Sequence, residues 1–488
     1  MADSAVEDAG HRAGAGAPAG VAGDVVVIGG SVAGMATALA LGRTGHRVAL
    51  IERDPLPLVA DPEAAFATER RGTPQSHQTH GFLARMTKVL RERFPDVYEG
   101  LLASGVETIS PFDSWEDPDP GDDELTIMIV RRTTFELALR RAVLAEPGVT
   151  LRSGVGVEGL LSADGAGGRT EVVGVTLDDG SVVPGSVVAC TGRRGDVPKW
   201  LAPLGVEVPE QVADTELIYL TRWYRRQVTD TQLNPRLGGD LGFVKYLAIP
   251  ADGDTLSLTL AIGAKDPELR RALLQPGQFD RACRLLPGPR DFFAPEGTLA
   301  GLGEVRPMGG FVNRLRRFTT SDGKPTVLGF HAVGDAHTCT NPFYGRGCSL
   351  ALVQAALLAD AFAAHPTDAI ARATDYEAGS AREVEPWYNA SVFSDAQRMN
   401  PDPASDADQF NRRLGSLVLE VMFGAVPDPV VARGLMRLIN MLVLPDQLFA
   451  DTDFIGRAFA LLNDPDGFAP PTPPPGVKRD TLLSALAA

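Results

Sequence analysis

Cysteine is scarce in this 488-residue chain, with only Cys190, Cys283, Cys339 and Cys348. Four scattered thiols are too few for a disulfide scaffold or a zinc site. A reducing, cytoplasmic setting is the expectation. Positive charge is also short: 46 Lys and Arg face 62 Asp and Glu, a net charge of −16. That balance excludes nucleic acid and an anionic membrane surface as main partners. Met1 to Gly23 is rich in Ala, Gly and Asp and lacks the apolar stretch of a signal peptide. Residues 1–23 are expected to form a disordered tail. No Ser-His-Asp set, metal-ligand cluster or carboxylate pair stands out.

Glycine and proline are plentiful instead, 52 and 37 residues, above their usual share. Outside disordered segments, such an excess means tight turns and close approaches of backbone. The first informative place is Val25 to Gly42, eighteen residues without a charge. Its length alone would suit a membrane span. The pattern is different: Val25-Val-Val-Ile28 is strand-like, Gly29-Gly30 breaks it, and Met35 to Leu41 favours helix. No integral membrane segment is expected here.

A second strand, Arg47-Val-Ala-Leu-Ile51, follows and ends at Glu52. Strand, glycine turn, helix, strand and acid form a dinucleotide-binding unit. Gly29 permits the sharp exit from the strand, with Gly30 beside it, and Gly34 lets the helix pack close to the sheet. Free N–H groups at the helix start suit a pyrophosphate. Glu52 is placed to accept hydrogen bonds from an adenosine ribose. Ser31 occupies the middle position, where glycine is usual. Gly154-Val-Gly-Val-Glu-Gly159 also spells G-x-G-x-x-G, but no helical pattern follows it.

Three hundred residues later, Lys324 to Asp335 reads as a strand ending in Gly-Asp. Asn341-Pro-Phe-Tyr-Gly-Arg-Gly347 then feeds a helix from Cys348 to Ala364 with one broad apolar face. Gly345 and Gly347 allow backbone to approach a flat ligand, and the helix dipole favours negative charge there. A reduced flavin carries such charge, and Asp335 could accept hydrogen bonds from ribityl hydroxyls.

Taken together, GGSVAG…ER and GDA…NPFYGRG resemble the FAD-dependent monooxygenases of the para-hydroxybenzoate hydroxylase class. The chain looks most similar to polyether-pathway flavin epoxidases and their actinobacterial relatives. Arg70 to His80, Val130 to Leu139, Val187 to Arg193 and Trp200 to Gly205 also match, and the resemblance spans about Asp24 to Ala364. It implies an α/β fold: a Rossmann-like FAD-binding domain of glutathione-reductase type, interleaved with a β-sheet substrate domain, plus C-terminal helices. The expected division is 24–200 for the first FAD-binding part, with substrate-domain segments inserted at about 75–130. Residues 201–324 form the substrate sheet, 325–364 the FAD-binding return, and 365–488 a helical extension.

The same resemblance implies roles for individual residues. Pyrophosphate lies on Gly29 to Gly34, including Gly30 and Ser31; ribose lies on Glu52, with Arg53 beside it. Arg132 helps hold the cofactor, Asp335 meets the ribityl chain, and Pro342, Gly345 and Gly347 run along the isoalloxazine. The implied activity is insertion of one oxygen atom from O2, through a flavin C4a-hydroperoxide, into an apolar or aromatic small molecule. Hydroxylation and epoxidation are both open, and secondary metabolism is the expected setting. Hydride transfer by a reductase or dehydrogenase, and halogenation, are the alternatives; the W-x-W-x-I-P pattern of flavin halogenases is missing. Where many hydroxylases carry Asp-Gly, this chain has Cys190-Thr-Gly192. NAD(P)H and a partner flavin reductase therefore both stand as electron sources.

Other features carry weaker expectations. His77 and His80 lie in a polar loop, near the flavin by resemblance; His337 and Cys339 line the cofactor loop. Asp113 to Glu124 holds seven acids in twelve residues and reads as a solvated loop, with Trp115 a candidate pocket cover. Leu217 to Tyr224 and Leu256 to Ile262 alternate as half-buried strands do. Trp223, Tyr224 and Phe243 are candidates for pocket or core. Leu414–Phe423, Val431–Leu444 (stopped by Pro445) and Phe454–Leu462 are expected helices, with an extended linker at Pro470–Pro475 before a basic and apolar tail.

Overall fold

The computed structural model describes residues 24–112, 118–227, 237–294, 297–399, 405–421, 426–464 and 477–487. The expected tail, Trp115 with the first part of the acidic loop, residues 422–423 and the Pro470–Pro475 linker lie outside them.

Five parallel strands form the first sheet. Phe330–Ala332, Ser186–Ala189, Val25–Ile28, Val48–Glu52 and Val149–Ser153 lie side by side in that order. Val25–Ile28 is central and buried throughout, which is why it reads as an unbroken apolar run rather than an alternating one. Val25 and Val27 face the helices Val32–Arg43, Arg132–Ala145 and Gly347–Ala364. Val26 and Ile28 face a three-stranded antiparallel sheet, Val157–Asp164, Thr170–Leu177 and Val182–Pro184. Gly154 to Gly159 therefore leads into a strand, not a helix.

Gly347–Ala364 is long and apolar enough to cross a membrane, but it packs inside the protein against Val32–Arg43. The sequence suggested one broad apolar face. The helix is instead buried around most of its circumference, the pattern of a helix in the interior of a large core.

A second sheet is antiparallel, in the order Gly238–Asp240, Val244–Ala251, Thr255–Gly263, Leu217–Arg226 and Leu299–Met308. Leu220, Tyr224, Leu258 and Leu260 meet the helices Pro267–Leu273 and Pro276–Leu285 on one face. The alternate residues Tyr219, Thr221, Thr259 and Ala261 point the other way, toward the cavity described below.

Leu417, Val431, Leu435 and Phe454 of the later helices join the core on the helical side of the parallel sheet. One expectation needs correcting. The helix read as Val431–Leu444 ends at Ile439. Asn440 turns its side chain back to the Met436 carbonyl and accepts from the Ala84 N–H, and Met441 has φ 60°. Pro445 opens the next helix, Pro445–Ala450, since its fixed φ and missing N–H suit a first turn. The basic and apolar tail is a helix, Arg479–Ala487. Leu482 and Leu486 bury against the helix-covered side of the antiparallel sheet, and Arg479 grips Asp266 through two nitrogens.

Candidate functional site

The turn after Val25–Ile28 is shaped by what cannot fit. A Cβ on Gly29 (φ 110°) would lie 2.5 Å from the Cys190 carbonyl oxygen. A Cβ on Gly34 would lie 1.6 Å from the Gly29 carbonyl oxygen. The helix start thus sits directly on the turn, with its N–H groups open. Gly30 is confined by Glu52, whose Cβ would be 2.9 Å from an added Cβ.

Glu52 is buried at the end of its strand. Its carboxylate accepts from the Gly30 N–H at 2.6 Å, the Asp54 N–H at 2.8 Å and Arg70 at 3.2 Å. Arg53 beside it is exposed and, like Glu52, lines the cavity. Ser31 explains its own departure from glycine. Its Oγ donates to Glu136 Oε1 at 2.9 Å and accepts from Arg132 Nη2 at 2.9 Å. Arg132 also donates to Glu136 at 2.8 Å and to His80 Nε2 at 3.0 Å. Arg70 completes the cluster on the other Glu136 oxygen at 2.8 Å. Burial opposes the Glu136 charge, yet Arg132 and Arg70 bring its pKa down to about 2.

His80 is held neutral, its pKa pushed down to about 3 by burial and by Arg132. Since Nε2 accepts from Arg132, Nδ1 carries the hydrogen and donates to the Gln78 carbonyl at 3.0 Å. The residue just before the helix, Arg131, faces elsewhere. It binds Asp252 in the hairpin of the antiparallel sheet, through its backbone N–H at 2.6 Å and its guanidinium at 2.8 Å. Thr134 adds a third donor to Asp252.

Asp335 follows the strand Phe330–Ala332. Burial raises its pKa against the pull of Arg132, Arg193 and Arg314. Its carboxylate accepts no hydrogen bond among the described residues, faces the cavity, and would lie 3.9 Å from a Cβ on Gly347. Pro342–Tyr344 forms a tight turn ended by Gly345 at φ 67°. Asn341 anchors it: Oδ1 accepts from Tyr219 Oη at 2.6 Å and the Phe343 N–H at 3.1 Å. Its Nδ2 donates to Asp395 at 2.8 Å. Asp395, fully buried on the helix Glu385–Met399, also accepts from Asn313 at 2.8 Å and Tyr344 at 3.3 Å. Arg346 runs behind the loop to the Trp387 carbonyl and Ser391.

One cavity of about 2270 Å³ joins these parts. Gly29, Ser31, Glu52, Arg53, Arg132, Asp335, Pro342, Gly345 and Gly347 all line it; Gly30 and Gly34 shape the turn behind. It continues along the antiparallel sheet past Tyr219, Thr259, Met308 and Phe311, and reaches the later helices at Leu414, Val418 and Phe449. Such a volume exceeds the several hundred Å³ typical of a single small ligand.

The weaker candidates divide. His80 and Cys339 line the cavity. His77 is buried against the Phe66 carbonyl at 2.7 Å, and His337 between Thr338 and Glu377. Burial drives the Cys339 thiol pKa well upward, which disfavours a nucleophile. Trp223 donates to the His77 carbonyl at 2.7 Å, Tyr224 donates to Asp280 at 2.6 Å, and Phe243 packs on the helix-covered core. These three belong to packing rather than to the cavity wall. Among the described residues no cluster of His, Cys, Asp and Glu could hold a metal.

Sequence reasoning missed Arg70, Glu136 and Asp395. The first two had a visible signal: Arg132 and Glu136 are four apart on a helix, where side chains meet, and Arg70 lies in a matching segment. Asp395 had none.

No family model and no curated protein matches the chain. Among solved structures it is similar to p-nitrophenol 4-monooxygenase PnpA from Pseudomonas putida DLL-E4, at 17% identity over 87% of this chain and 99% of that one, with TM-score 0.59. It is similar to the flavin-dependent brominase Bmp2 at 18% identity, over 89% and 99%, with TM-score 0.59. A flavoprotein/dehydrogenase from Cytophaga hutchinsonii matches at 14% identity, over 90% and 98%, with TM-score 0.60. At these identities the likeness establishes a shared mixed α/β fold.

Proposed function

We propose that the protein is an FAD-dependent monooxygenase that inserts one oxygen atom from O2 into an apolar or aromatic small molecule. The observation that carries this is convergence. Turns three hundred residues apart in the chain face one cavity, and the desolvated Asp335 carboxylate there has no donor partner among the described residues. A ribityl hydroxyl supplies such a donor. Residues 24–200 and 325–364 then form the FAD-binding part and 201–324 the substrate sheet, with about 75–130 crossing between them. The helices after 365 close the far end of the cavity.

FAD bound here would supply oxygen activation and transfer, the chemistry that side chains cannot perform. The chain's own residues do the rest. The free N–H groups of Val32, Ala33 and Gly34 at the helix start receive the pyrophosphate, Glu52 accepts from ribose, and Arg132 fixes Ser31 and His80 around the turn. The Pro342–Gly347 loop and the N–H groups of the helix Gly347–Ala364 take the isoalloxazine edge, where the dipole favours negative charge. The apolar sheet face and the later helices exclude water. Electrons come from NAD(P)H or from a partner flavin reductase.

The fold also occurs in a brominase and a dehydrogenase, so halogenation and plain hydride transfer are the rival reactions. The deciding experiment is spectral and chemical. The purified protein with FAD should show flavin bands at about 370 and about 450 nm. Reduction under argon, followed by O2 and an apolar substrate panel, should give products one oxygen atom heavier. Halogenated product with bromide, or oxidised product without oxygen uptake, would move the assignment to a rival.

A further inference from the structure

We infer that Thr79 Oγ is an acceptor subsite of the cavity, selecting ligands that present an O–H or N–H donor. The inference deepens the reading of the cavity as a substrate chamber and rests on it.

The direction of one hydrogen-bond chain fixes this. Gln78 Nε2 donates to the Arg306 backbone carbonyl at 3.1 Å. A carbonyl cannot donate, so the amide cannot be flipped and Oε1 must face Thr221. Oε1 holds no hydrogen, so Thr221 donates to it at 2.7 Å. Thr221 has then spent its hydrogen. Its 2.6 Å contact with Thr259 must be a bond donated by Thr259. Thr259 in turn has none left, so Thr79 donates across the 2.7 Å contact between them. Each hydroxyl has one hydrogen and two lone pairs. The chain therefore runs one way, Thr79 to Thr259 to Thr221 to Gln78, and each bond polarises the next.

Thr79 heads the chain with its hydrogen committed and both lone pairs unused. No donor reaches it among the described residues. Thr221 is fully buried, Thr259 and Gln78 nearly so, while Thr79 is half-buried and lines the cavity. It lies two residues before Gly81, which abuts the Pro342–Gly347 loop, since a Cβ on Gly345 would lie 3.3 Å from the Gly81 carbonyl oxygen. An ether or carbonyl oxygen placed at Thr79 would meet lone pairs. A hydroxyl or amine would donate.

The test uses matched probes. Isothermal titration of the FAD-loaded full chain compares β-naphthol with β-naphthyl methyl ether, and decanol with methyl decyl ether. The alcohol of at least one pair should bind roughly fivefold tighter, the worth of one net hydrogen bond. Thr79→Val should erase that preference and Thr79→Ser should keep it; Thr79→Ala replaces the valine variant if it does not fold. No preference for alcohol in the wild-type protein, including no binding of either member of both pairs, overturns the inference. So does an unchanged preference in Thr79→Val or Thr79→Ala. Repeating the titration without added FAD separates the two claims: failure to bind flavin counts against the flavoprotein assignment and leaves the alcohol preference readable.

Discussion

Arg132 Nε meets Glu136 Oε1 at 2.8 Å, one helical turn apart, with both side chains almost completely shielded from solvent. The pair sits beneath Ser31, and Arg70 shares the same carboxylate. Glu136→Gln keeps the shape and removes the charge that compensates two buried guanidiniums. The variant should lose about 3 kcal/mol of stability and hold FAD roughly tenfold more weakly, about 1.4 kcal/mol. Urea unfolding and flavin titration check both. Unchanged FAD affinity would mean that Arg132 does not organise the turn.

Gly34→Ala reverses an ordinary rule. Alanine inside a helix usually stabilises relative to glycine by up to about 1 kcal/mol. Here the new Cβ would stand 1.6 Å from the Gly29 carbonyl oxygen, so stability and FAD retention should both fall. Gly456, in the helix Thr452–Asn463, has nothing within 4 Å of the same position. Gly456→Ala should follow the ordinary rule. Thermal unfolding of the two variants side by side is the measurement.

Asp395→Ala should loosen the Pro342–Gly347 turn without touching the cavity surface. It leaves Asn341, Asn313 and Tyr344 short of an acceptor they share. A stability loss of about 3 kcal/mol is expected from the breakage of a buried network. Flavin fluorescence should rise as the loop side of the cofactor gains freedom. A variant with native melting and unaltered fluorescence would show that the network is dispensable.

His331 and His80 both contribute to the acid limb of the stability profile. Burial, helped by Arg372, pushes the His331 pKa down from 6.5 to about 3. Below 6.5 the unfolded chain takes up a proton that the folded chain refuses. Its contribution is therefore constant above 6.5 and erodes as pH falls toward 3, by about 1.4 kcal/mol per pH unit at most. His331→Leu, set among Phe362 and Tyr376, should make the profile shallower between about pH 6.5 and about pH 5, with the share from His80 remaining. Urea midpoints across that range decide it.

The turn at Gly29 was readable because its chemistry is local: strand, glycine and helix follow one another within ten residues, and the acid lies one strand away. Asp395 was not readable because its partners are 54 and 82 positions distant, and a lone aspartate on a half-polar helix looks solvated. Trp223, open between pocket and core on its strand pattern, lies in the core against the His77 carbonyl and Phe66. The helix expected to run to Leu444 ends at Ile439, where the Asn440 side chain takes the Ala84 N–H and its carbonyl takes the Arg85 N–H. In each miss, the deciding partner came from a remote segment.

Arg131 and Arg132 are consecutive, yet one grips Asp252 and the other Ser31. A single peptide unit thus separates the hold on the antiparallel sheet from the hold on the first turn. The two grips share one stretch of backbone, so neither can shift far without carrying the other with it.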